Sequence, residues 1–384
     1  MAGFRPLAVL LHRYVGLAMA AFLIVAGLTG TVIAFEPELD AWLNPRLFHR
    51  PSLQPALPLD RLVHEAQTRH DVQVSFVGLP QQPRDSLLLY VQPAHAGGPA
   101  PGFNQVFVDP GTGATLGLRQ AGACCFARDR LLPFLHELHY TLALPGLWGV
   151  WLMGGVALAW TVDCFVAFWL TLPRRGAGIA KWKIAWQIKR RSGTTRLNLD
   201  LHRATGLWLW GVWLMLAVSS VALNLHEEVF EPAVAMFADI SPTVYESRTA
   251  GEGAAPLGYQ RILALAEAEA AARGWDAPAH SLFFDGTLDF YGINFGDFRA
   301  PGLGTRTLYL DGTSGALLDA SVPGSGTLGD LILQLQYPLH SGYIAGLPGR
   351  LLIAASGLLV TLLSLTGMVI WWKKRRARRG AIPA

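Results

Sequence analysis

The chain has 384 residues, of which 52% are hydrophobic and 15% are charged. Its mean hydropathy of +0.32 is too high for an ordinary soluble globular protein of this length and favours a membrane protein. The formal net charge of +4 does not indicate nucleic-acid binding, because the basic residues are concentrated beside apolar segments, where anionic lipid headgroups lie.

Four apolar stretches are each long enough to cross a bilayer as a helix. They lie at residues 14–35, 147–172, 207–225 and 351–372. With their flanks they predict a four-helix transmembrane bundle whose helices occupy residues 1–38, 132–172, 201–228 and 339–374. We expect the first stretch to be a helix and not a cleaved signal, because its apolar run is long and a matching segment recurs in mid-chain.

The basic residues predict the orientation of these helices. They are concentrated in a loop at residues 173–200, which includes Arg174 and Arg175, and in the tail at residues 375–384. The positive-inside rule therefore predicts that the loop, the tail and both termini are cytoplasmic. The long segments at residues 39–131 and 229–338 contain no lysine and are predicted to lie on the other side.

Each of these two long segments is predicted to form a small α+β domain. The first has a helical pattern at residues 59–70 and strand patterns at residues 72–77, 86–91 and 105–108. The second has a helical pattern at residues 259–273 and strand patterns at residues 280–284, 289–295 and 306–310. In both, the last of these strands ends in a glycine-containing turn that suits a hairpin.

An internal repeat relates the two halves of the chain. The segment LHRYVGL at residues 11–17 recurs as LHRATGL at residues 201–207, an offset of 190. Two further matches follow in the same order: QVFVDPGTGA at 105–114 with TLYLDGTSGA at 307–316, and LH with LPG at 138–146 and again at 339–349. The repeat predicts two copies of one unit related by a pseudo-twofold axis along the membrane normal.

Four histidines occupy equivalent positions in the two copies. His12 and His202 lie near the predicted cytoplasmic ends of the first and third helices, and His139 and His340 near the outer ends of the second and fourth. Opposed imidazoles in a helical bundle are the ligands of a six-coordinate haem iron. We therefore predict two haem sites, one ligated by His12 and His202 and the other by His139 and His340.

Small residues follow the inner histidines on the same helix face. Gly16 and Gly206 each lie four residues after a histidine, where the absence of a side chain leaves room for a flat macrocycle. Gly30 and Ser220 return to that face five turns after the histidines. The competing interpretation is that the histidines are interfacial anchors and the small residues pack helices closely.

Several other residues remain candidates for the same sites. His136, one turn before His139, and His226, at the end of the third helix, are alternative ligands. Arg13, Arg203 and Arg350 are candidates for pairing with haem propionates, although positive charge near a helix end also orients the protein.

Asp163 lies inside the second apolar run, where an ionisable side chain is costly. We expect it to act as a proton acceptor or as the partner of a polar group in the bundle. Cys124, Cys125 and Cys164 form no metal-binding pattern, and we assign them no role.

These motifs resemble the PepSY-associated transmembrane family. The resemblance rests on the two LHRxxGL segments, the DPGTG turn after a strand, the LH and LPG pairs, and LTG at 365–367 before WWKK at 371–374. The basic loop with Trp182 and Trp186 is similar to the iron-uptake branch. That branch implies a bacterial inner-membrane reductase that carries b-type haem and reduces ferric siderophores in the periplasm, releasing ferrous iron.

The electron donor is predicted to be a separate molecule. The cytoplasmic parts contain no dinucleotide or flavin motif and are too short for a nucleotide-binding domain, which leaves a quinol or a cytoplasmic reductase. Two alternative functions stay open at this point. One is a transport subunit for siderophore or iron, and the other is a non-catalytic binding or protease-regulating membrane protein.

Overall fold

The structure, a computed structural model, describes residues 4–95, 97–125, 127–173, 178–249 and 255–380. Arg174 and Arg175 of the predicted basic loop and the last four residues of the predicted tail lie outside these ranges. The chain divides into two compact units. A helical unit comprises residues 1–35, 135–237 and 335–384, and a sheet unit comprises residues 36–134 and 238–334.

The described residues form thirteen α-helices and eight strands. The helices are α1 (Phe4–Ile33), α2 (Glu36–Leu43), α3 (Pro45–Phe48), α4 (Leu59–His70), α5 (Leu131–Thr141), α6 (Trp148–Thr171), α7 (Thr194–Trp208), α8 (Trp210–Asn224), α9 (Glu231–Ala235), α10 (Val244–Ser247), α11 (Tyr259–Ala272), α12 (Leu328–Ser341) and α13 (Gly346–Gly380). The strands are β1 (Val72–Gly78), β2 (Leu87–Pro93), β3 (Gln105–Val108), β4 (Thr115–Arg119), β5 (Ala279–Asp285), β6 (Phe290–Phe295), β7 (Arg306–Asp311) and β8 (Leu317–Ser321).

Three described helices are long and apolar enough to cross a membrane. They are α1, α6 and the helix over Tyr343–Arg379, which includes all but the last residue of α13. The third predicted span, at residues 201–228, is not one straight helix, because α7 and α8 are bent by 68° at Leu209. The backbone of Leu209 (φ −108°, ψ 10°) leaves the helical region, and Gly206 and Gly211 on either side weaken the helix there.

The second and fourth predicted spans are also interrupted. Residues 132–172 contain two helices, α5 and α6, separated by Leu142 and Ala143 with φ near +55°. Residues 339–374 contain the end of α12 and most of α13, separated at Gly342 with φ +81°. Left-handed residues stop a helix, so His139 and His340 lie at the ends of the short helices α5 and α12 instead of on the spans themselves.

Helices α1 and α13 pack closely against each other in the helical unit. A Cβ added to Gly27 would lie 2.5 Å from the carbonyl oxygen of Gly357 and 2.7 Å from Oγ1 of Thr361. Thr31 donates a hydrogen bond to the carbonyl oxygen of Ala354 on the facing helix at 3.0 Å. Small residues therefore allow these two backbones to approach, as is usual for helices in membranes.

The sheet unit contains one antiparallel eight-stranded sheet with the order β4-β3-β2-β1-β5-β6-β7-β8. Each predicted strand is present within a few residues of its predicted bounds. The two glycine-containing turns do form hairpins, from β3 to β4 and from β7 to β8. Strands β4 and β8 were not predicted.

The two segments expected to form separate small domains share this sheet. Strand β1 pairs with β5 through Phe76–Phe283, Val77–Leu282 and Gly78–Ser281, which joins the two four-stranded halves. Helices α4 and α11 pack against each other and supply the apolar cover of the sheet. The pairing removes one exposed edge from each half, which explains why a single unit forms.

A buried ion pair holds the start of the sheet unit to its edge strand. Arg119 on β4 contacts Asp40 on α2 at 2.7 Å, and their side chains are only 4% and 6% exposed. Arg119 also donates to Gln105 Oε1 at 2.6 Å and lies over the rings of Phe48 and Phe107. Removing one member of such a pair leaves an uncompensated buried charge.

We expect Asp40→Ala to destabilise the sheet unit by about 3–5 kcal/mol. Hydrogen exchange of the β3 and β4 amides in the full-length protein measures the loss of protection. The matched control is Arg61→Ala, which removes the exposed Arg61–Glu65 pair within α4 and costs only about 0.3–0.5 kcal/mol. Equal protection in the two variants would contradict the prediction.

The hairpin from β7 to β8 should weaken in acid. Burial raises the pKa of Asp311, but hydrogen bonds from Ser314 and Arg248 outweigh it and lower the pKa to about 2. Because the folded-state pKa is depressed, this stabilisation is present above an ordinary pKa near 3.8 and is lost as the pH falls toward 2. Chemical denaturation between pH 5 and pH 2 should show this loss, and Asp311→Asn should remove that part of the pH dependence.

Candidate functional site

Four histidines of the helical unit form two pairs. In the first pair, the ring centroids of His12 on α1 and His202 on α7 are 6.2 Å apart. Nδ1 of His12 lies 3.0 Å from each carboxylate oxygen of Asp163 on α6. Nδ1 of His202 lies 3.0 Å from the carbonyl oxygen of Leu363 and 3.1 Å from Oγ1 of Thr366, both on α13.

The second pair joins the ends of the two short helices. The ring centroids of His139 on α5 and His340 on α12 are 6.1 Å apart. Nδ1 of His139 lies 3.1 Å from Oγ1 of Thr29 on α1, and Nδ1 of His340 lies 3.0 Å from Oγ of Ser219 on α8. Each of the four imidazoles is thus oriented by a hydrogen bond from Nδ1 to a neighbouring helix.

These hydrogen bonds determine which ring nitrogen carries the proton. A carbonyl oxygen only accepts, so Nδ1 of His202 donates to Leu363. Thr29 uses its own proton in a 2.7 Å bond to the carbonyl oxygen of Val25 and therefore accepts from its histidine. Ser219 lies 3.1 Å from the carbonyl oxygen of Leu216 and 3.0 Å from Nδ1 of His340, and both contacts are satisfied when it donates to the first and accepts from the second.

An ionised Asp163 also only accepts, so the same tautomer follows for His12. All four histidines then keep an unprotonated Nε2, the atom that binds metal ions when Nδ1 is held by a neighbour. In all four, the bond to the neighbouring helix uses Nδ1 and leaves Nε2 outside it.

The ring separations fit a metal ion between each pair. Bonds from imidazole nitrogen to a metal are about 2.0–2.1 Å long, so two nitrogens on opposite sides of one ion stand about 4 Å apart. Adding about 1 Å from each nitrogen to its ring centre gives about 6 Å between centroids. Among the described residues no group of three or more His, Cys, Asp or Glu side chains is placed to hold a metal. Two ligands alone suit an ion that brings its other ligands with it, as haem iron does.

The glycines near the pairs fall into two kinds. A Cβ at Gly16 would meet nothing within 4 Å, and one at Gly206 would meet only Leu363 Cδ1 at 3.7 Å, so the predicted space after each inner histidine is present. A Cβ at Gly30 would lie 2.9 Å from Cε1 of His139, and one at Gly367 would lie 3.1 Å from Cε1 of His202. The first kind leaves open volume, and the second lets a helix approach an imidazole ring.

Ser220, predicted to share the thin face with Gly30, instead donates to the carbonyl oxygen of Leu216 on its own helix. Its neighbour Ser219 is the residue that contacts the ligand candidate. The equivalent residue of the first half, Thr29, likewise contacts His139, so in both halves the bonding residue comes one position before the residue predicted to share the thin face.

The two alternative histidines have other contacts, although His136 lies one turn before His139 on α5. The ring of His136 packs against Tyr140 at 5.8 Å. His226 lies 3.3 Å from Glu231, and its side chain is 48% exposed.

The arginines proposed for propionate binding have varied surroundings. Arg203 contacts buried Asp200 at 3.1 Å and donates to the carbonyl oxygen of Ile184 at 2.7 Å. Arg350 is 7% exposed, donates to the carbonyl oxygen of Ala34 and lies over the rings of Phe35 and Tyr343. Arg13 is partly exposed on α1 beside His12.

An apolar core lies midway along α1. Eighteen residues separate His12 from Gly30, which is about 27 Å along a helix. Near the middle of that distance, Trp213 and Leu216 on α8 pack with Val360 on α13, and Leu23 of α1 joins them. An apolar cluster therefore lies between the levels of the two pairs.

Sequence reasoning missed three residues that hydrogen-bond to the paired histidines, namely Thr29, Ser219 and Thr366. It also missed the close approach of Gly367 to the ring of His202. One signal was available, because the repeat offset of 190 relates Thr29 to Ser219. Asp163 was noted for its burial, and its partner is now seen to be His12.

Comparisons with known proteins bear on the family of this chain. No curated protein that we compared matches it. The sequence profile of the PepSY-associated TM region matches residues 9–374, which is nearly the whole length, and the chain therefore belongs to the PepSY-associated transmembrane family.

Proposed function

We propose that this protein is a haem-dependent oxidoreductase of the bacterial inner membrane that reduces ferric siderophores in the periplasm and releases ferrous iron. The observation that carries the proposal is the set of two histidine pairs, each with ring centroids about 6 Å apart and with both Nδ1 atoms held by neighbouring helices. Bound haem b supplies one-electron transfer. The likeness of the basic loop to the iron-uptake branch supports the choice of substrate.

The residues of this chain would position two such groups across the membrane. His12 and His202 lie at the end of α1 that the basic loop and tail assign to the cytoplasm. His139 and His340 lie about five turns further along α1, at its other end. A pseudo-twofold arrangement of four helices, with α7 and α8 counted as one span, accounts for this equivalence.

The reaction balances as a set of one-electron steps. Each ferric ion takes one electron, so a quinol or another two-electron donor reduces two ferric ions, and a quinol releases two protons. Hard oxygen ligands hold ferrous iron less tightly than ferric iron, so the reduced metal leaves the siderophore. We assign siderophore binding to the segments that form the eight-stranded sheet, because they are predicted to be periplasmic.

The absorption spectrum of the purified full-length protein, expressed with haem supplied, tests this proposal. We expect a Soret band, sharpened visible bands on dithionite reduction, and reoxidation when a ferric siderophore is added. Absence of a Soret band would overturn the proposal.

The same experiment separates the alternative functions. A transport subunit would bind the siderophore without any change in the spectrum. A protein whose only role is to bind or regulate a protease would contain no haem at all, so both results count against the oxidoreductase.

A further inference from the structure

One of the four paired histidines differs from the other three in the charge of its partner. His12 bonds to a carboxylate, that of Asp163, whereas His139 and His340 bond to hydroxyl groups. His202 bonds to a backbone carbonyl and a hydroxyl. The first pair therefore has a carboxylate hydrogen-bonded directly to one of its imidazoles, whereas the partners described for the second pair are hydroxyl groups.

We propose that Asp163 makes the centre at His12 and His202 the more reducing of the two, so that electrons run from there to the centre at His139 and His340. This inference rests on the proposed function, because it concerns iron held by these residues. It assigns to Asp163 a positioning and tuning role that acts through His12.

The physical argument begins with the imidazole. A carboxylate that accepts the Nδ1 proton increases the basicity of Nε2, and a more basic ligand favours the oxidised, more positive iron. A hydroxyl or carbonyl partner does this less strongly because it has no net charge. The centre with the carboxylate partner should therefore have the lower reduction potential.

The surroundings of Asp163 strengthen its effect. Its side chain is 11% exposed, and charge interactions are stronger away from water. Within the described part of the chain its hydrogen bonds and ion pair go to His12, and no arginine or lysine there forms an ion pair with it. The nearby acid Asp200 is different, because Arg196 and Arg203 contact it at 3.0 and 3.1 Å.

The direction of transfer follows from the position of this residue. Asp163 lies on α6 against the end of α1 that is near the basic loop, which is the end assigned to the cytoplasm. A lower potential at this end makes transfer toward the opposite end favourable. A carboxylate at the second pair would have made the same transfer unfavourable.

Spectroelectrochemical titration of the haem-loaded protein tests the inference. We expect two potentials in the unchanged protein. Asp163→Asn keeps the size of the side chain and should raise the lower of the two reduction potentials by at least about 59 mV. For one electron this is a tenfold shift of the equilibrium toward reduced iron. Asp163→Glu should restore part of the shift. The matched control is Glu228→Gln, which removes a carboxylate that accepts a hydrogen bond from Trp151 instead of from a paired histidine, and it should move neither potential.

A second measurement avoids replacing Asp163. The variants His340→Ala and His12→Ala each leave one intact pair, and the centre that remains in His340→Ala should have the lower potential. The inference is overturned if both centres bind haem and the order is reversed, or if Asp163→Asn moves neither potential. Absence of haem in the unchanged protein would instead overturn the proposed function.

Discussion

Replacing His12 with alanine should remove about half of the low-spin haem signal of the protein, and His340→Ala should remove the other half. Each substitution deletes one of the two nitrogens that would complete six-coordination at one pair, and the two pairs share no residue. Haem content and low-spin absorption of each purified variant measure the effect. In the double variant the low-spin signal should vanish.

Two other histidines serve as controls for this result. His136→Ala and His226→Ala should retain the whole signal, because one packs on Tyr140 and the other contacts Glu231. Loss of half the signal in His226→Ala with full retention in His340→Ala would contradict the pairing. Loss of the entire signal in His12→Ala alone would show that the two centres are not independent.

The sheet unit shows where sequence patterns succeed and fail. Strands such as β1 and β3 are recognised because their apolar residues are buried in the core. Strand β8 was missed because it is an edge strand in which Leu317 and Leu318 are both about 40% exposed, so burial imposes no alternation on it. The pairing of β1 with β5 was also out of reach, since no local pattern specifies which edges meet.

The candidate site was predictable to the extent that it repeats. The offset of 190 identified His12 with His202, and the LH and LPG segments identified His139 with His340. Their hydrogen-bond partners depend on how helices rotate and bend, which periodicity does not define. Thr29 on the unbroken helix α1 and Ser219 beyond the break at Leu209 each come one position before the residue that helix arithmetic selected.

Substituting a larger residue for two glycines of α1 should have opposite results. Gly16 has open space beside it, whereas Gly27 is packed closely against α13. Gly16 has nothing within 4 Å of an added Cβ, so the helix packing itself tolerates a larger side chain there. At Gly27 an added Cβ would lie 2.5 Å from a backbone oxygen of α13, which cannot move aside as a side chain can. If the space beside Gly16 accepts a macrocycle, a larger residue should compete with it.

We therefore expect Gly16→Leu to lose the haem at His12 and His202 while the thermal stability of the haem-free protein stays close to that of the unchanged chain. Gly27→Leu should instead lower the stability of the helical unit by at least about 1–3 kcal/mol, because overpacking forces the two helices apart. Thermal unfolding without haem and the low-spin signal with haem distinguish the two variants. Retention of both haems in Gly16→Leu would mean that this open volume is filled by lipid, and that Gly16 is not part of the first centre.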